Sequence, residues 1–248
     1  MNKIEYLYLN YLNKKISKIR RNFYERLINP IVKARLKTLE RNFLSEYFPL
    51  LQSNTYRSNT IKSLLPVYQY YIKHVSNPVM TVSLETASTL FIICEYIAPS
   101  RILDLGSGFS SYVFRKYSSL QNGKVTVYSI DDDSYWLGMT RDFLKYQNLS
   151  SNNLILWKSF ISNEYHHFDL IFNDIGTMVF REKVLPMVLG FANPKRNVII
   201  LDDMQFSTYE KRVKQVLQNF YFRSANLIST TKDEFGRFSA LLINVFPK

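Results

Sequence analysis

The sequence has 248 residues, of which 46% are hydrophobic and 15% aromatic, and its single cysteine is Cys94. This length suits one α/β domain with an extension, and this apolar fraction suits a chain that buries a core, which excludes a wholly disordered protein. A single cysteine excludes an internal disulfide, and no apolar stretch reaches the roughly 20 residues that span a bilayer. The first residues also lack the apolar core of a secretory signal. We therefore expect a cytoplasmic protein with Cys94 as a buried core thiol.

The net charge of +12 is concentrated at the start of the chain. Residues 1–50 contain 11 Lys and Arg against 4 Asp and Glu, a net charge of +7, which leaves +5 for the remaining residues. A basic segment of this kind attracts anionic partners. The favoured interpretation of residues 1–50 is a solvated helix that only maintains solubility. Contact with a protein, or with a membrane surface, which would make the protein peripheral at a membrane, is the next alternative, and nucleic acid is a weaker candidate.

Residues 1–78 are predicted to form a basic helical extension. Apolar residues recur at helical spacing in two stretches, before and after Pro30: Ile16, Ile19, Phe23 and Leu27, then Leu36, Leu39, Phe43 and Tyr47. Such a spacing is typical of helices with one buried face. The polar stretch 53–60 is predicted to be a loop, and a third helix is expected to follow Pro66 and reach His74.

Residues 79–248 are predicted to form an α/β domain. A helix at Leu84–Ile97 is expected to stop at Pro99, and helices then alternate with short apolar strands. The predicted strands are 101–105, 125–130, 153–157, 168–173 and 197–201, followed by a closing pair at 224–229 and 237–246. Because buried parallel strands are apolar throughout, this alternation indicates a mostly parallel sheet covered by helices on both faces.

A glycine turn follows the first predicted strand, in residues 103–111 with the sequence LDLGSGFSS. Ligands of parallel sheets bind beyond the carboxyl ends of the strands, and glycines there let the backbone approach them closely. Asp104 precedes the glycines, and a carboxylate at that place would repel the pyrophosphate of a dinucleotide. Ser111 stands where the dinucleotide pattern has its third glycine. The pattern therefore favours a ligand with cationic ends.

Residues 80–246 resemble class I S-adenosylmethionine (SAM)-dependent methyltransferases, specifically the metal-dependent small-molecule and sugar O-methyltransferase branch. Residues 104–110 match the first motif of that family, and Asp131, with Asp132 as the fallback, matches the acid that bonds the ribose hydroxyls. The resemblance implies a Rossmann-like sheet of seven mostly parallel strands, with SAM as cofactor. It implies these cofactor-binding residues: Val82, Ser83, Asp104, Gly106, Ser107, Gly108, Ser110, Asp131, Asp132, Phe160 and Asp174. Trp136 is a further candidate for the adenine.

Acids at the ends of the fourth and fifth strands hold a divalent metal in the resembled branch. Asp174 stands at the first of these ends, and Asp202 and Asp203 stand at the second. The resemblance therefore implies that these three residues are catalytic and bind Mg²⁺, whose preferred ligands are oxygens. The ion would polarise a substrate hydroxyl and hold its oxygen in line with the methyl group.

The sequence also departs from that branch. The lysine that follows the strand-four acid in catechol-type enzymes is missing, and Thr177 stands near its place. Arg181 or Lys183 could approach the site from the next helix. The expected function is methyl transfer from SAM to a hydroxyl of a small molecule or sugar with Mg²⁺. Two alternatives stay open: an RNA or protein methyltransferase guided by the basic helices, and a non-catalytic partner of the same fold. A homo-oligomer is also open.

Overall fold

The computed structural model describes residues 29–163 and 167–244. The chain divides into two compact units, residues 1–42 and residues 43–248. The division passes through helix α1 (Asn29–Tyr47). The presence of this helix confirms the one predicted after Pro30. The helix predicted from Ile16 to Leu27 lies outside the described residues. The division between the units also lies well before the predicted boundary between residues 78 and 79.

Two helices of the second unit precede the sheet, α2 (Asn54–His74) and α3 (Leu84–Ile97), with a short 3₁₀ turn at Pro49–Gln52 before them. Their buried side chains share one core, in which Leu64 and Tyr71 of α2 join Leu90 of α3. This shared core explains why residues 43–78 belong to the same compact unit as the sheet.

The start of α2 corrects the loop predicted at residues 53–60. The hydroxyl oxygen of Ser53 accepts a hydrogen bond from the backbone N–H of Tyr56, and the helix begins directly after this cap. Pro66 lies inside α2 rather than before a separate third helix. A serine cap satisfies an end group of a helix, so polar residues after it need not form a loop.

The described residues form one seven-stranded sheet in the order β3-β2-β1-β4-β5-β7-β6. Its strands are β1 (Arg101–Leu105), β2 (Thr126–Asp131), β3 (Leu154–Leu156), β4 (Leu170–Asn173), β5 (Val198–Leu201), β6 (Phe222–Asn226) and β7 (Ala240–Asn244). The first five strands are parallel, and β7 runs antiparallel to both β5 and β6. The predicted α/β fold with a mostly parallel seven-stranded sheet is confirmed.

Helices cover both faces of this sheet and create two hydrophobic cores. These helices are α4 (Phe109–Leu120), α5 (Ser134–Tyr146), α6 (Trp157–Ile161), α7 (Met178–Gly190), α8 (Ser207–Leu217) and α9 (Ile228–Thr231). Successive side chains of a strand point to opposite faces, so Phe172 of β4 joins one core and Ile171 joins the other. Burial on both faces is why the strands are apolar throughout. None of the described helices is long and apolar enough to cross a membrane.

Candidate active site

A cavity of about 720 Å³ lies at the carboxyl ends of β1, β2, β4 and β5. The strand order changes direction between β1 and β4, and open α/β sheets bind their ligands at such a point. Most of the predicted cofactor residues line this cavity: Val82, Gly106, Ser107, Gly108, Ser110, Asp131, Asp132 and Asp174. Its volume suits a small-molecule ligand.

The glycine turn after β1 approaches two other parts of the chain closely. Gly106 has φ +99°, and a Cβ atom at this position would lie 2.7 Å from the carbonyl oxygen of Asp174. A Cβ atom on Gly108 would lie 3.3 Å from the hydroxyl of Tyr71, which also lines the cavity. Residue 106 must therefore be glycine for both its backbone conformation and its contact with the end of β4.

Asp104 does not line the cavity but holds the glycine turn in place through hydrogen bonds. Its carboxylate is fully buried and accepts hydrogen bonds from the hydroxyls of Ser110, Ser111 and Ser129. Ser129 in turn accepts a hydrogen bond of 2.7 Å from Arg115 Nη1. Burial raises the pKa of Asp104 to about 6, and the three hydroxyls and Arg115 act in the opposite direction. Asp104 therefore positions the turn through these hydroxyls, and its contact with the cofactor stays a prediction.

Asp131 presents a fixed carboxylate to the cavity from the end of β2. Its Oδ2 accepts hydrogen bonds from the backbone N–H of Ser107 at 2.7 Å and from the Ser107 hydroxyl at 2.8 Å. Its Oδ1 accepts the backbone N–H of Asp133 at 3.0 Å. Burial raises the pKa of Asp131 despite these bonds. The side chain is thus oriented before any ligand arrives, with lone pairs left for hydroxyl donors.

Besides Asp104, two more of the predicted cofactor residues, Ser83 and Phe160, do not line the cavity. Ser83 caps α3 through a hydrogen bond of 3.0 Å from the backbone N–H of Thr86. Phe160 is fully buried, and its ring centroid lies 5.2 Å from that of Phe191 in the core. The adenine contact predicted for Phe160 is therefore not supported, because the short helix α6 turns this ring into the core. Trp136 does line the cavity, from the first turn of α5.

Three carboxylates predicted to bind a metal line the cavity, and Arg181 of α7 lies among them. Arg181 Nη2 is 2.5 Å from Asp174 Oδ1, and Arg181 Nη1 is 2.8 Å from Asp203 Oδ2. The guanidinium therefore bridges the ends of β4 and β5. Lys183, the other cation considered for this place, is exposed and does not line the cavity.

The third carboxylate, Asp202, makes its hydrogen bond elsewhere, accepting one of 2.7 Å from the hydroxyl of Ser239. Burial raises the pKa of both Asp202 and Asp174, and repulsion between the neighbouring carboxylates adds to this. Among the described residues, no group of three or more His, Cys, Asp or Glu is arranged to hold a metal ion. The predicted Mg²⁺ site does not fit this geometry, because a guanidinium bridges two of its three ligands.

Some residues of the cavity carried no signal in the sequence. Tyr71 is buried and reaches the cavity from α2, and burial raises its pKa well above the ordinary value. It is far from the motifs in sequence, so only the packing of α2 on the sheet domain reveals it. The outer part of the cavity is lined by exposed apolar side chains: Val79, Met80, Phe206 and Phe235. Arg237 also lines the cavity and donates a hydrogen bond of 2.6 Å to the carbonyl oxygen of Val79.

The fold resembles that of solved methyltransferases, although no protein-family model and no curated protein matches the chain in sequence. The SAH-bound Podospora anserina methyltransferase PaMTH1 superposes with a TM-score of 0.59 at 14% identity, over 74% of this chain and 88% of that one. The O-methyltransferase from Bacillus cereus in complex with SAH has a TM-score of 0.52 at 16% identity, over 83% of this chain and 96% of that one. The O-methyltransferase TomG from Streptomyces achromogenes, involved in tomaymycin synthesis and solved with SAM, has a TM-score of 0.52 at 13% identity, over 86% of this chain and 98% of that one. The chain therefore has the class I methyltransferase fold.

Proposed function

We propose that this chain is a SAM-dependent methyltransferase whose cofactor binds in the cavity between β1 and β4. The observation that carries the proposal is the oriented carboxylate of Asp131, which accepts hydrogen bonds from Ser107 of the Gly106 turn and lines the cavity together with that turn. The solved structures with similar folds support it, since those of PaMTH1 and the Bacillus cereus enzyme contain SAH.

The residues of the cavity divide the binding of SAM between them. Asp131 accepts hydrogen bonds from the ribose hydroxyls, and Trp136 flanks the adenine ring. Gly106 and Gly108 let the amino-acid end of the cofactor approach the backbone. When bound, SAM supplies an electrophilic methyl group. The protein then contributes mainly by holding the acceptor oxygen in line with that group, which needs little acid–base apparatus.

The acceptor in this proposal is a hydroxyl of a small molecule or sugar, bound in the outer part of the cavity. Apolar side chains, among them Met80 and Phe235, line that part beside Arg237. The hydroxyl oxygen forms the new bond to the methyl group, SAH leaves, and the hydroxyl proton passes to solvent. No Mg²⁺ enters the proposed reaction, because Arg181 bridges Asp174 and Asp203.

Calorimetric titration with SAH tests the cofactor assignment, with NAD as the competing dinucleotide. We expect saturable SAH binding, no NAD binding, and a loss of about tenfold or more in SAH affinity for Asp131→Asn, since a charge-assisted hydrogen bond contributes about 1.5–3 kcal/mol. Asp142→Asn is the matched control, because Asp142 is exposed on α5 and does not line the cavity. Absence of SAH binding by the folded protein would refute the proposal.

Labelled SAM with a panel of hydroxyl acceptors then tests the transfer itself. SAH binding without transfer to any acceptor would favour the non-catalytic alternative.

We further propose that the protein works in the cytoplasm and that residues 1–50 contact an anionic membrane surface or a protein. Co-sedimentation of the full chain with vesicles that contain anionic lipid tests the membrane contact.

A further inference from the structure

We propose that Arg181 is the resident cation of the acidic end of this site, and that the protein therefore binds SAM and acts without a divalent metal. The inference rests on the proposed function and departs from the metal-dependent branch that the sequence resembles. It assigns Arg181 a positioning role toward Asp174 and Asp203, the residues that the resemblance makes metal ligands.

The first argument is where the guanidinium lies. It contacts carboxylate oxygens from two different strand ends, Asp174 at 2.5 Å and Asp203 at 2.8 Å. Mg²⁺ needs its oxygen ligands at 2.0–2.1 Å in near-ideal octahedral geometry. A planar guanidinium between the two carboxylates occupies the lone pairs that a shared ion would need.

The second argument is how firmly Arg181 is held. Its Nε donates to the carbonyl oxygen of Ile175 at 3.0 Å, and its Nη2 donates to the carbonyl oxygen of Asp174 at 2.8 Å. The Arg181 side chain is only 7% exposed. A metal ion would have to displace this buried cation from two carboxylates and two carbonyls at once. Breaking such a buried pair is costly, so Arg181 is a fixed part of the site.

The third argument is the charge that Arg181 balances. Asp174, Asp202 and Asp203 place three carboxylates at neighbouring strand ends. Arg181 pairs with two of them, and an arginine side chain is not deprotonated in proteins. A permanent internal cation thus supplies the charge balance that a metal supplies elsewhere.

Titration of the full chain with MnCl₂ tests the inference directly, using the electron paramagnetic resonance signal of free Mn²⁺. We expect no stoichiometric Mn²⁺ binding by the wild type, and the same SAH affinity in EDTA as in MgCl₂. Arg181→Met keeps the length of the side chain and removes its charge, so we expect that variant to gain one Mn²⁺ per chain. The double variant Arg181→Met, Asp203→Asn should lose it again.

Two further variants separate charge from folding. Arg181→Lys keeps a cation in the site and should not gain Mn²⁺. Arg212→Met removes an exposed arginine of α8 and should behave as the wild type. Stoichiometric Mn²⁺ binding by the wild type that Asp203→Asn abolishes would overturn the inference, as would a folded Arg181→Met without bound Mn²⁺. If Arg181→Met does not fold, the wild type and Asp203→Asn decide the question. Failure of SAH binding would refute the proposed function instead and leave the Mn²⁺ result standing.

Discussion

Replacing Asp104 by asparagine tests how the glycine turn is held. The carboxylate of Asp104 is fully buried under the turn, between the hydroxyls of Ser110, Ser111 and Ser129. Asparagine has nearly the same shape but cannot ionise. The comparison therefore isolates the free energy of keeping a carboxylate charge at this buried place.

The pKa of Asp104 sets the magnitude and the sign of the expected effect. Burial raises it from 3.8 to about 6, which corresponds to about 3 kcal/mol at 1.36 kcal/mol per pKa unit. Because the folded pKa lies above the unfolded one, the stabilising contribution is complete below the unfolded pKa and is lost as the pH rises through about 6. Linkage places about 2 kcal/mol of this loss between about pH 4.5 and about pH 7. Over that range, Asp104→Asn should gain about 2 kcal/mol of stability relative to the wild type.

Urea unfolding at a series of pH values measures the difference, and Asp169→Asn serves as the control. Although burial raises the pKa of Asp169, hydrogen bonds from Ser100, Asn193 and the backbone lower it overall. Its stabilising contribution is therefore fully present above the unfolded pKa and is lost only as the pH falls through the folded pKa, so Asp169→Asn should be less stable than the wild type by a constant amount between about pH 4.5 and about pH 7. A loss of relative stability by Asp104→Asn over the same range would refute the reasoning. It would mean that the hydroxyls and Arg115 outweigh burial.

Three further predictions concern the turn, a helix cap and the buried thiol. Gly106→Ala should abolish SAH binding, because its Cβ atom would lie 2.7 Å from a backbone oxygen at φ +99°. Gly138→Ala, with open space around it in α5, should bind SAH as the wild type does in the same titration. Ser53→Ala should lower the free energy of unfolding by about 1 kcal/mol through loss of the α2 cap, and retention of full stability in urea would contradict this. Cys94 is fully buried, which raises its pKa, so a thiol reagent should modify it only after unfolding.

The order of the elements could be predicted because local patterns and the fold agree. Each predicted strand of the sheet occurs within a few residues of its place, since strands buried on both faces must be apolar throughout. The errors lie in α2, where local polarity suggested a loop. There the cap at Ser53 and the packing of Leu64 and Tyr71 decide the structure. A single sequence does not show which polar stretch has such a packing partner.

The site was predictable at its strand ends and less so beyond them. Motifs placed Gly106 and Asp131 beside the cavity, because the carboxyl ends of parallel strands meet at one edge. They did not reveal that Phe160 turns into the core, since the direction of a side chain after a strand depends on the following turn. Nor did they reveal that Arg181 bridges Asp174 and Asp203, since a strand-end acid looks the same in sequence whether a metal or a guanidinium faces it.

In the proposed function, the preference for a cationic cofactor has a different origin from the one that the sequence suggests. Sequence patterns attribute it to Asp104, whose carboxylate would repel a pyrophosphate, but this side chain is buried under the turn and its oxygens bind hydroxyls of the protein. The acids that do line the cavity are Asp131, Asp174 and Asp202, with Asp132, Asp133 and Asp203 beside them. Burial raises the pKa values of Asp131, Asp174 and Asp202, and repulsion from Asp202 raises the pKa of Asp174 as well, so further negative charge in the cavity would be unfavourable. A ligand with ammonium and sulfonium groups relieves this repulsion, whereas a pyrophosphate increases it. The discrimination against a dinucleotide is therefore expected to survive in Asp104→Asn and to weaken when Asp131 is neutralised.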